Sequence, residues 1–223
     1  MPYRQTPLTS GEIYHIFNRS IAKQPIFQTQ RDYQRALEVI SFYRYQNPPL
    51  RFSHYNRLPQ NQKLDFIENL TKSRKKLVEI FAFCIMPNHL HFLIKQLEDQ
   101  GISKFMNNFQ HSYAKYFNTK NDRTGSLFQA MFKSVRIESE EQLLHVARYI
   151  HLNPVSSFII EIDSLPNYPW SSLKDYFSDG KKSLIDTKSI LGHFKSKEDY
   201  KKFVFDQADY QQKLEGIKHL VLE

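Results

Sequence analysis

The chain has 223 residues, with 31 Lys and Arg against 23 Asp and Glu for a net charge of +8, and a pI of about 9.4. At 40% hydrophobic and 14% aromatic residues it can bury a sizeable core, which excludes a disordered chain. One cysteine, Cys84, excludes an internal disulfide and a multi-cysteine zinc site, and the longest apolar run, residues 80–86, is far short of the roughly 18 residues a membrane span takes.

In chain order, residues 13–19 (Ile-Tyr-His-Ile-Phe-Asn-Arg) are strand formers without a helical stripe and predict a first strand. Residues 31–46 place Tyr33, Ala36, Leu37, Ile40 and Tyr43 at helical spacing, and Asn47-Pro48-Pro49 is expected to stop that helix. Residues 47–76 are polar and read as an insertion, with a helix around 62–73 and a cationic end at Lys72, Arg74, Lys75 and Lys76. That run suits either a solvated helix terminus or a nucleic-acid contact. Residues 77–86 and 89–95 predict two strands around a tight Pro87-Asn88 turn, followed by a helix over 102–118 with Ile102, Phe105, Met106, Phe109, Tyr113 and Tyr116 on one face. A strand near 132–137 precedes Ser139-Glu140-Glu141-Gln142, a capping box opening a helix that Asn153-Pro154 should end near 152. The first six regular elements are β-α-β-β-α-β, a ferredoxin-like α+β arrangement with a four-stranded antiparallel sheet and helices on one face. Residues 1–166 form this domain, and residues 167–223, with a short helix near 188–193 and a capped one from Ser196, read as a helical appendage.

The sharpest local feature is His89-Leu90-His91. Residues two apart on a strand share a face, so two neutral imidazoles there can ligate one divalent metal, or simply form a surface or satisfied core pair. Tyr113 and Tyr116 lie on the sheet-facing stripe of the 102–118 helix, where a hydroxyl could stand over the histidines as a nucleophile or be hydrogen-bonded in the core. Between residues 103 and 136 six cations (Lys104, Lys115, Lys120, Arg123, Lys133, Arg136) face one acid, Asp122. With Phe117, Phe128 and Phe132 interleaved, this is a pattern for phosphate contact and base stacking, while the same rings also suit a core, Phe132 more readily than Phe128.

Six blocks spread over about residues 10–177 then carry a resemblance. They are Tyr14-His15-Ile16-Phe17-Asn18-Arg19, the stretch 86–94 around the histidines, Ser112-Tyr113-Ala114-Lys115-Tyr116-Phe117-Asn118, Gly125-Ser126-Leu127-Phe128-Gln129, Tyr149-Ile150-His151-Leu152-Asn153-Pro154-Val155 and Pro169-Trp170-Ser171-Ser172. Together they resemble the single-tyrosine HUH transposases of the IS200/IS605-like superfamily, above all its REP-associated tyrosine transposase branch. The resemblance implies a ferredoxin-like domain, usually a homodimer, that nicks and rejoins single-stranded DNA beside hairpins. A histidine pair holding Mg²⁺ or Mn²⁺ and a tyrosine that forms a 5′-phosphotyrosine would do the chemistry. It maps the metal pair onto His89 and His91 and the nucleophile onto Tyr113, with Tyr116 one turn later as the alternative. The family commonly sets a Gln or Asn one turn after the tyrosine; here that position is Phe117, which leaves Asn118 as the candidate third ligand. Candidate DNA contacts are Arg19, Lys115, Lys120, Arg123, Phe128, Lys133 and Arg136. No mechanical role follows for the Tyr149–Val155 block beyond ending a helix. The start of the sequence lacks the apolar stretch of a secretory leader, so a cytoplasmic protein without a membrane partner is expected. Two other readings share these features: a metal-dependent phosphodiesterase without a covalent intermediate, and a non-catalytic nucleic-acid-binding module.

Overall fold

Four strands carry the site: β1 (Ile13–Arg19), β2 (Val78–Met86), β3 (His89–Gln96) and β4 (Lys133–Arg136). They pair antiparallel in the order β2-β3-β1-β4, the split βαβ arrangement the sequence predicts. The structure is a computed structural model that describes residues 7–178 and 184–208.

Helix α1 (Gln30–Tyr43) follows β1, and the 47–76 segment contains α2 (Phe52–Tyr55) and α3 (Gln60–Ser73). A full capping box opens α1: the Thr29 hydroxyl accepts from the Asp32 N–H, and the Asp32 carboxylate accepts from the Thr29 N–H. The prolines at 48 and 49 do not end α1, which stops at Tyr43. The chain instead turns there because its next residues pair across the mouth of the insertion, Gln46 N–H to the Lys75 carbonyl (2.8 Å) and Leu77 N–H to the Arg44 carbonyl (2.7 Å). Phe42, Phe52, Tyr55 and Phe66 pack ring against ring and seat the insertion on α1. The cationic end of α3 is a solvated terminus in which Lys72, Lys75 and Lys76 pair with Glu68, Glu98 and Glu79.

Helix α4 (Gly101–Lys120) lies beside α1 on one face of the sheet. Strand alternation sends Leu90, Phe92 and Ile94 to that face, where Phe92 meets Phe105 and Phe109 edge-on at 5.6 and 6.3 Å. Each fully buried phenylalanine contributes roughly 1.5–3 kcal/mol, so this layer helps to hold helix and sheet together. Asp32, wholly buried, bonds both the Tyr116 hydroxyl (2.8 Å) and Lys120 (2.7 Å) and so ties the start of α1 to the end of α4.

Beyond the six-element core, α5 (Glu140–Ser156) packs on the other face, against β2 and β3. Ser139 caps it as expected, although the Gln142 side chain takes the N–H of Glu138 rather than that of Ser139. Pro154 does not stop α5, which runs on to Ser156. Proline costs the helix one donor, yet its carbonyl still accepts from the Ile159 and Ile160 N–H groups. The remaining helices are α6 (Leu173–Phe177), α7 (Lys188–Leu191) and α8 (Lys197–Phe205), the last capped by Ser196. Between α5 and α6 the chain runs along the exposed edge of β2, with Ile85 N–H to the Trp170 carbonyl (2.9 Å) and Ser172 N–H to the Phe83 carbonyl (3.0 Å). That contact covers an edge that would otherwise offer unpaired backbone groups. No described helix is long and apolar enough to cross a membrane.

Candidate active site

The antiparallel register sets His15 opposite Leu93, Phe17 opposite His91 and Arg19 opposite His89, so all these residues share the α5 face of the sheet. The His89 and His91 rings stand edge-on at 5.1 Å, His15 and Phe17 stack on His91 at 5.2 and 5.6 Å, and Tyr149 reaches down from α5. The half-buried Tyr149 ring lies 5.7 Å from that of His91 and 5.9 Å from that of His15. Histidines and tyrosine therefore do meet over one face of the sheet, with the tyrosine supplied by α5.

Hydrogen bonds orient the imidazoles. His89 Nδ1 lies 2.6 Å from the Asn88 side-chain oxygen, and His91 Nδ1 lies 2.9 Å from His15 Nε2. The assignment that fits a metal ligand has Nδ1–H of each donating to its neighbour, which makes Nε2 the ligating nitrogen on both rings. Burial holds His91 well below the ordinary imidazole range, helped by His15, His89 and Arg19, and pushes His15 down to about 4. Both are neutral at pH 7, the form that binds metal. Among the described residues no cluster of three or more His, Cys, Asp or Glu side chains could hold an ion. The pair thus fits a divalent ion only if oxygens of substrate phosphate or water complete its shell.

The predicted nucleophile is not in this site. Tyr113 lies on α4, on the opposite face of the sheet, with none of its surface exposed. Its hydroxyl donates to the Ile26 carbonyl at 2.6 Å, and its ring packs on Phe27, Phe109 and Phe128. Burial, with a smaller contribution from the Asp32 charge, raises its pKa far above that of an ordinary phenol, so its proton is held rather than released. Tyr116 donates to Asp32 on the same side and is pushed up to about 12, again mainly by burial. Asn118, the predicted third ligand, is spent on the loop after α4, where it donates to the Gly125 carbonyl (2.9 Å) and accepts from Arg123 (2.8 Å).

The predicted DNA contacts divide. Arg19 and Lys133 border the histidine face, Arg19 opposite His89 and Lys133 opposite Phe17, with the Lys133 ammonium 6.0 Å from the Phe17 ring. Arg136 pairs with Glu12 at 2.9 Å, and Arg123 closes its own loop on Asn118 and Ser126. Lys115 and Lys120 stand beside α1, away from the histidines. Phe128 is core, 6% exposed against Phe109 and Tyr113, and cannot stack a base.

Sequence reasoning gave no role to Tyr149 or His15, although both fall in the family-like blocks. The strand alternation that joined His89 to His91 would have placed His15 on their face once β1 was paired with β3. The block after Tyr149 acquires a structural role as well. His151, wholly buried, lies 2.8 Å from the Tyr200 hydroxyl through Nδ1 and 2.9 Å from Ser172 Oγ through Nε2. Ser172 in turn bonds the backbone of Phe83 on β2. One assignment satisfies every group: Tyr200 O–H to Nδ1, Nε2–H to Ser172, and Ser172 O–H to the Phe83 carbonyl. That chain fixes α5, and with it Tyr149, against the sheet.

Comparison with known proteins bears on the fold and on the central part of the chain. Residues 57–153 match the family model described as transposase, IS200 like, a span that holds His89, His91 and Tyr149. No curated protein matches in sequence, while six solved chains match in structure. One is described as the structure of the REP associates tyrosine transposase bound to a REP hairpin. It matches at 14% identity and a TM-score of 0.53, over 84% of this chain and 93% of that one, a likeness of fold. The histidine strand and the α5 tyrosine both lie inside the span that is similar to the IS200-like transposase model.

Proposed function

We propose that this chain nicks and rejoins single-stranded DNA beside hairpins, as a transposase of the REP-associated tyrosine type, with Tyr149 as the nucleophile. The observation that carries the reading is the Tyr149 ring set 5.7 Å from His91 on the one face where both histidines project. The Tyr149 oxygen attacks the scissile phosphorus in line, forming an O–P bond as the bond to the 3′ oxygen breaks. The phenol gives up its proton, the leaving oxygen takes one up as a free 3′-OH, and the DNA stays attached as a 5′-phosphotyrosine. The phosphodiester energy is kept for rejoining, which runs the same exchange in reverse.

His89 and His91 would hold a divalent ion, Mg²⁺ or Mn²⁺, which when bound supplies Lewis-acid stabilisation of charge on the transferring phosphoryl group. Imidazole suits Mn²⁺, while Mg²⁺ demands more oxygen. His15 holds His91 in its ligating tautomer, Phe17 offers a ring beside the site, and Arg19 and Lys133 meet the backbone of the incoming strand. The reading also expects a homodimer in the cytoplasm.

The test uses the full chain with labelled hairpin oligonucleotides carrying single-stranded flanks and Mn²⁺, resolved on a denaturing gel. A DNA–protein adduct that forms with the wild type, Tyr113→Phe and Tyr116→Phe but not with Tyr149→Phe is the expected outcome. An adduct that survives Tyr149→Phe overturns the assignment.

A further inference from the structure

Two adjacent residues just after β1 hold a backbone conformation that neither favours. Ala22 and Lys23 both have a φ of 55°, in the left-handed region. A Cβ crowds the following carbonyl there, and glycine or asparagine is the usual occupant. Such a conformation persists only where the surroundings impose it. Here Ser20 Oγ donates to the Gln24 carbonyl (2.5 Å) and closes the turn, while Ile21 N–H donates to the Leu127 carbonyl (3.0 Å).

The same segment is laced to the tight turn between β2 and β3. Ser20 N–H donates to the Asn88 carbonyl (2.8 Å), and the Ile26 and Phe27 N–H groups both donate to that of Pro87 (2.7 and 3.0 Å). A further bond runs the other way, from Asn88 Nδ2 to the Lys23 carbonyl at 2.9 Å. It joins the left-handed turn to the residue immediately before His89.

The bond to Lys23 sets the direction of the next one. A backbone carbonyl only accepts, so the Asn88 amide turns its NH₂ to Lys23 and its oxygen to His89. That oxygen, 2.6 Å from His89 Nδ1, also only accepts, so Nδ1 carries the proton and Nε2 the lone pair. The contact between His91 and His15 imposes no such direction, because either imidazole can be the donor across 2.9 Å. His89 is thus a ring whose tautomer the backbone dictates.

We propose that Asn88 is a positioning residue, tethered by the left-handed turn at Ala22 and Lys23, that locks His89 in the tautomer whose Nε2 can ligate a metal. The inference rests on reading the histidine pair as the metal site of the nicking reaction. It is tested on the full chain without DNA, by a Mn²⁺ titration followed by electron paramagnetic resonance. Nuclear magnetic resonance of isotope-labelled histidine, which tells the two tautomers of each ring apart, is recorded on the same samples before metal is added. Asn88→Ala should move His89 towards the Nε2–H tautomer and raise the Mn²⁺ Kd by about tenfold or more, with the His91 tautomer unmoved. Lys23→Pro, which forces φ negative and withdraws the carbonyl, should do the same, since the amide can then turn its NH₂ to His89. Adding Asn88→Asp to Lys23→Pro should restore the tautomer and bring the affinity to within about threefold of wild type, because a carboxylate has no donor end to turn. Lys23→Gly, which accepts a positive φ without strain, should keep the wild-type tautomer and affinity.

An unchanged His89 tautomer and Mn²⁺ affinity in Asn88→Ala overturn the proposal. A loss in Lys23→Gly equal to that in Lys23→Pro overturns the part given to the turn. If the variants behave as expected and the wild type forms no adduct with hairpin DNA, the positioning role stands and the nicking reading fails. If the wild type forms the adduct and Asn88→Ala binds Mn²⁺ as tightly as the wild type, the positioning role fails and the nicking reading stands.

Discussion

Tyr113 and Tyr149 both sit on helices that cross the same sheet, one on each face, and their surroundings divide the work. Under α4 the sheet meets a dry layer of rings, and the Tyr113 hydroxyl is absorbed by the Ile26 carbonyl. Under α5 it meets two adjacent imidazoles, a third hydrogen-bonded to one of them, and a half-buried phenol. A nucleophile has to be reachable and able to lose its proton, and full burial denies both to Tyr113. The α4 face holds the fold and the α5 face is free to do chemistry. The largest expected effect follows from this division. Tyr149→Phe lowers adduct formation by roughly a thousandfold or more, the scale on which a missing nucleophile acts, while Tyr113→Phe leaves the adduct yield per folded molecule unchanged.

A finer cut separates groups on the α5 face that touch the reaction from those that orient them. His15 reaches the site only through His91 Nδ1, so it is a positioning residue. His15→Gln should weaken Mn²⁺ binding by about 10- to 100-fold, the usual effect of losing an outer partner of a histidine ligand. A Mn²⁺ titration followed by electron paramagnetic resonance without DNA reads this directly. His15→Asn, shorter and out of reach of Nδ1, should do no better. Wild-type affinity in both variants would show that His91 needs no partner to hold its tautomer.

The anchor of α5 is accessible through pH. Burial pushes His151 down to about 3, while the unfolded chain titrates near 6.5. Between those values the unfolded state takes a proton that the folded state refuses, so stability falls as pH drops through the window and this loss ends below about 3. From pH 7 to pH 5 the group removes about 2 kcal/mol. His15, and His91 with it, add losses of the same sign. Urea midpoints of His151→Gln across that range should show a shallower decline than wild type, on top of a lower value at pH 7. A parallel decline would mean that the buried imidazole is not what makes the α5 face acid-sensitive.

Much of this was legible from residue order. Alternation on β3 put His89 and His91 on one face, the capping residues Ser139 and Ser196 marked helix starts, and the apolar stripe of α4 showed that Tyr113 faces the sheet. A stripe tells which side of a helix is inward, but not which face of the sheet that helix covers. That depends on the crossover, which sets α4 and Tyr113 on the face opposite the histidines. Asn118 failed for a related reason, because the loop after α4 has its own unsatisfied carbonyl and guanidinium to serve. Phe128 is core because the strand ends bring it beneath Phe109 and Tyr113, a contact that its place in the sequence does not show. Local propensity alone ends the helix at Pro154, whereas α5 is held by Ser172 and Tyr200 through His151 and runs on to Ser156.

The smallest effect sharpens the comparison of the two tyrosines from the side of stability. Tyr113→Phe keeps the ring against Phe27 at 4.7 Å and Phe109 at 6.2 Å, and deletes only the hydroxyl. Ile26 then loses a 2.6 Å donor in a place water does not reach, which costs about 1 kcal/mol and more if no other donor moves in. Tyr149 keeps its ring against His15 and His91 on the same substitution and, being half-buried where Tyr113 is fully buried, should lose less. Urea unfolding of the two variants therefore ranks them opposite to the adduct gel. A phenol that matters for stability and not for cutting is structural, and one that matters for cutting and not for stability is chemical. Were Tyr149→Phe the less stable variant and Tyr113→Phe the one without adduct, the two faces would have to exchange roles, which the 5.7 Å approach of Tyr149 to His91 argues against.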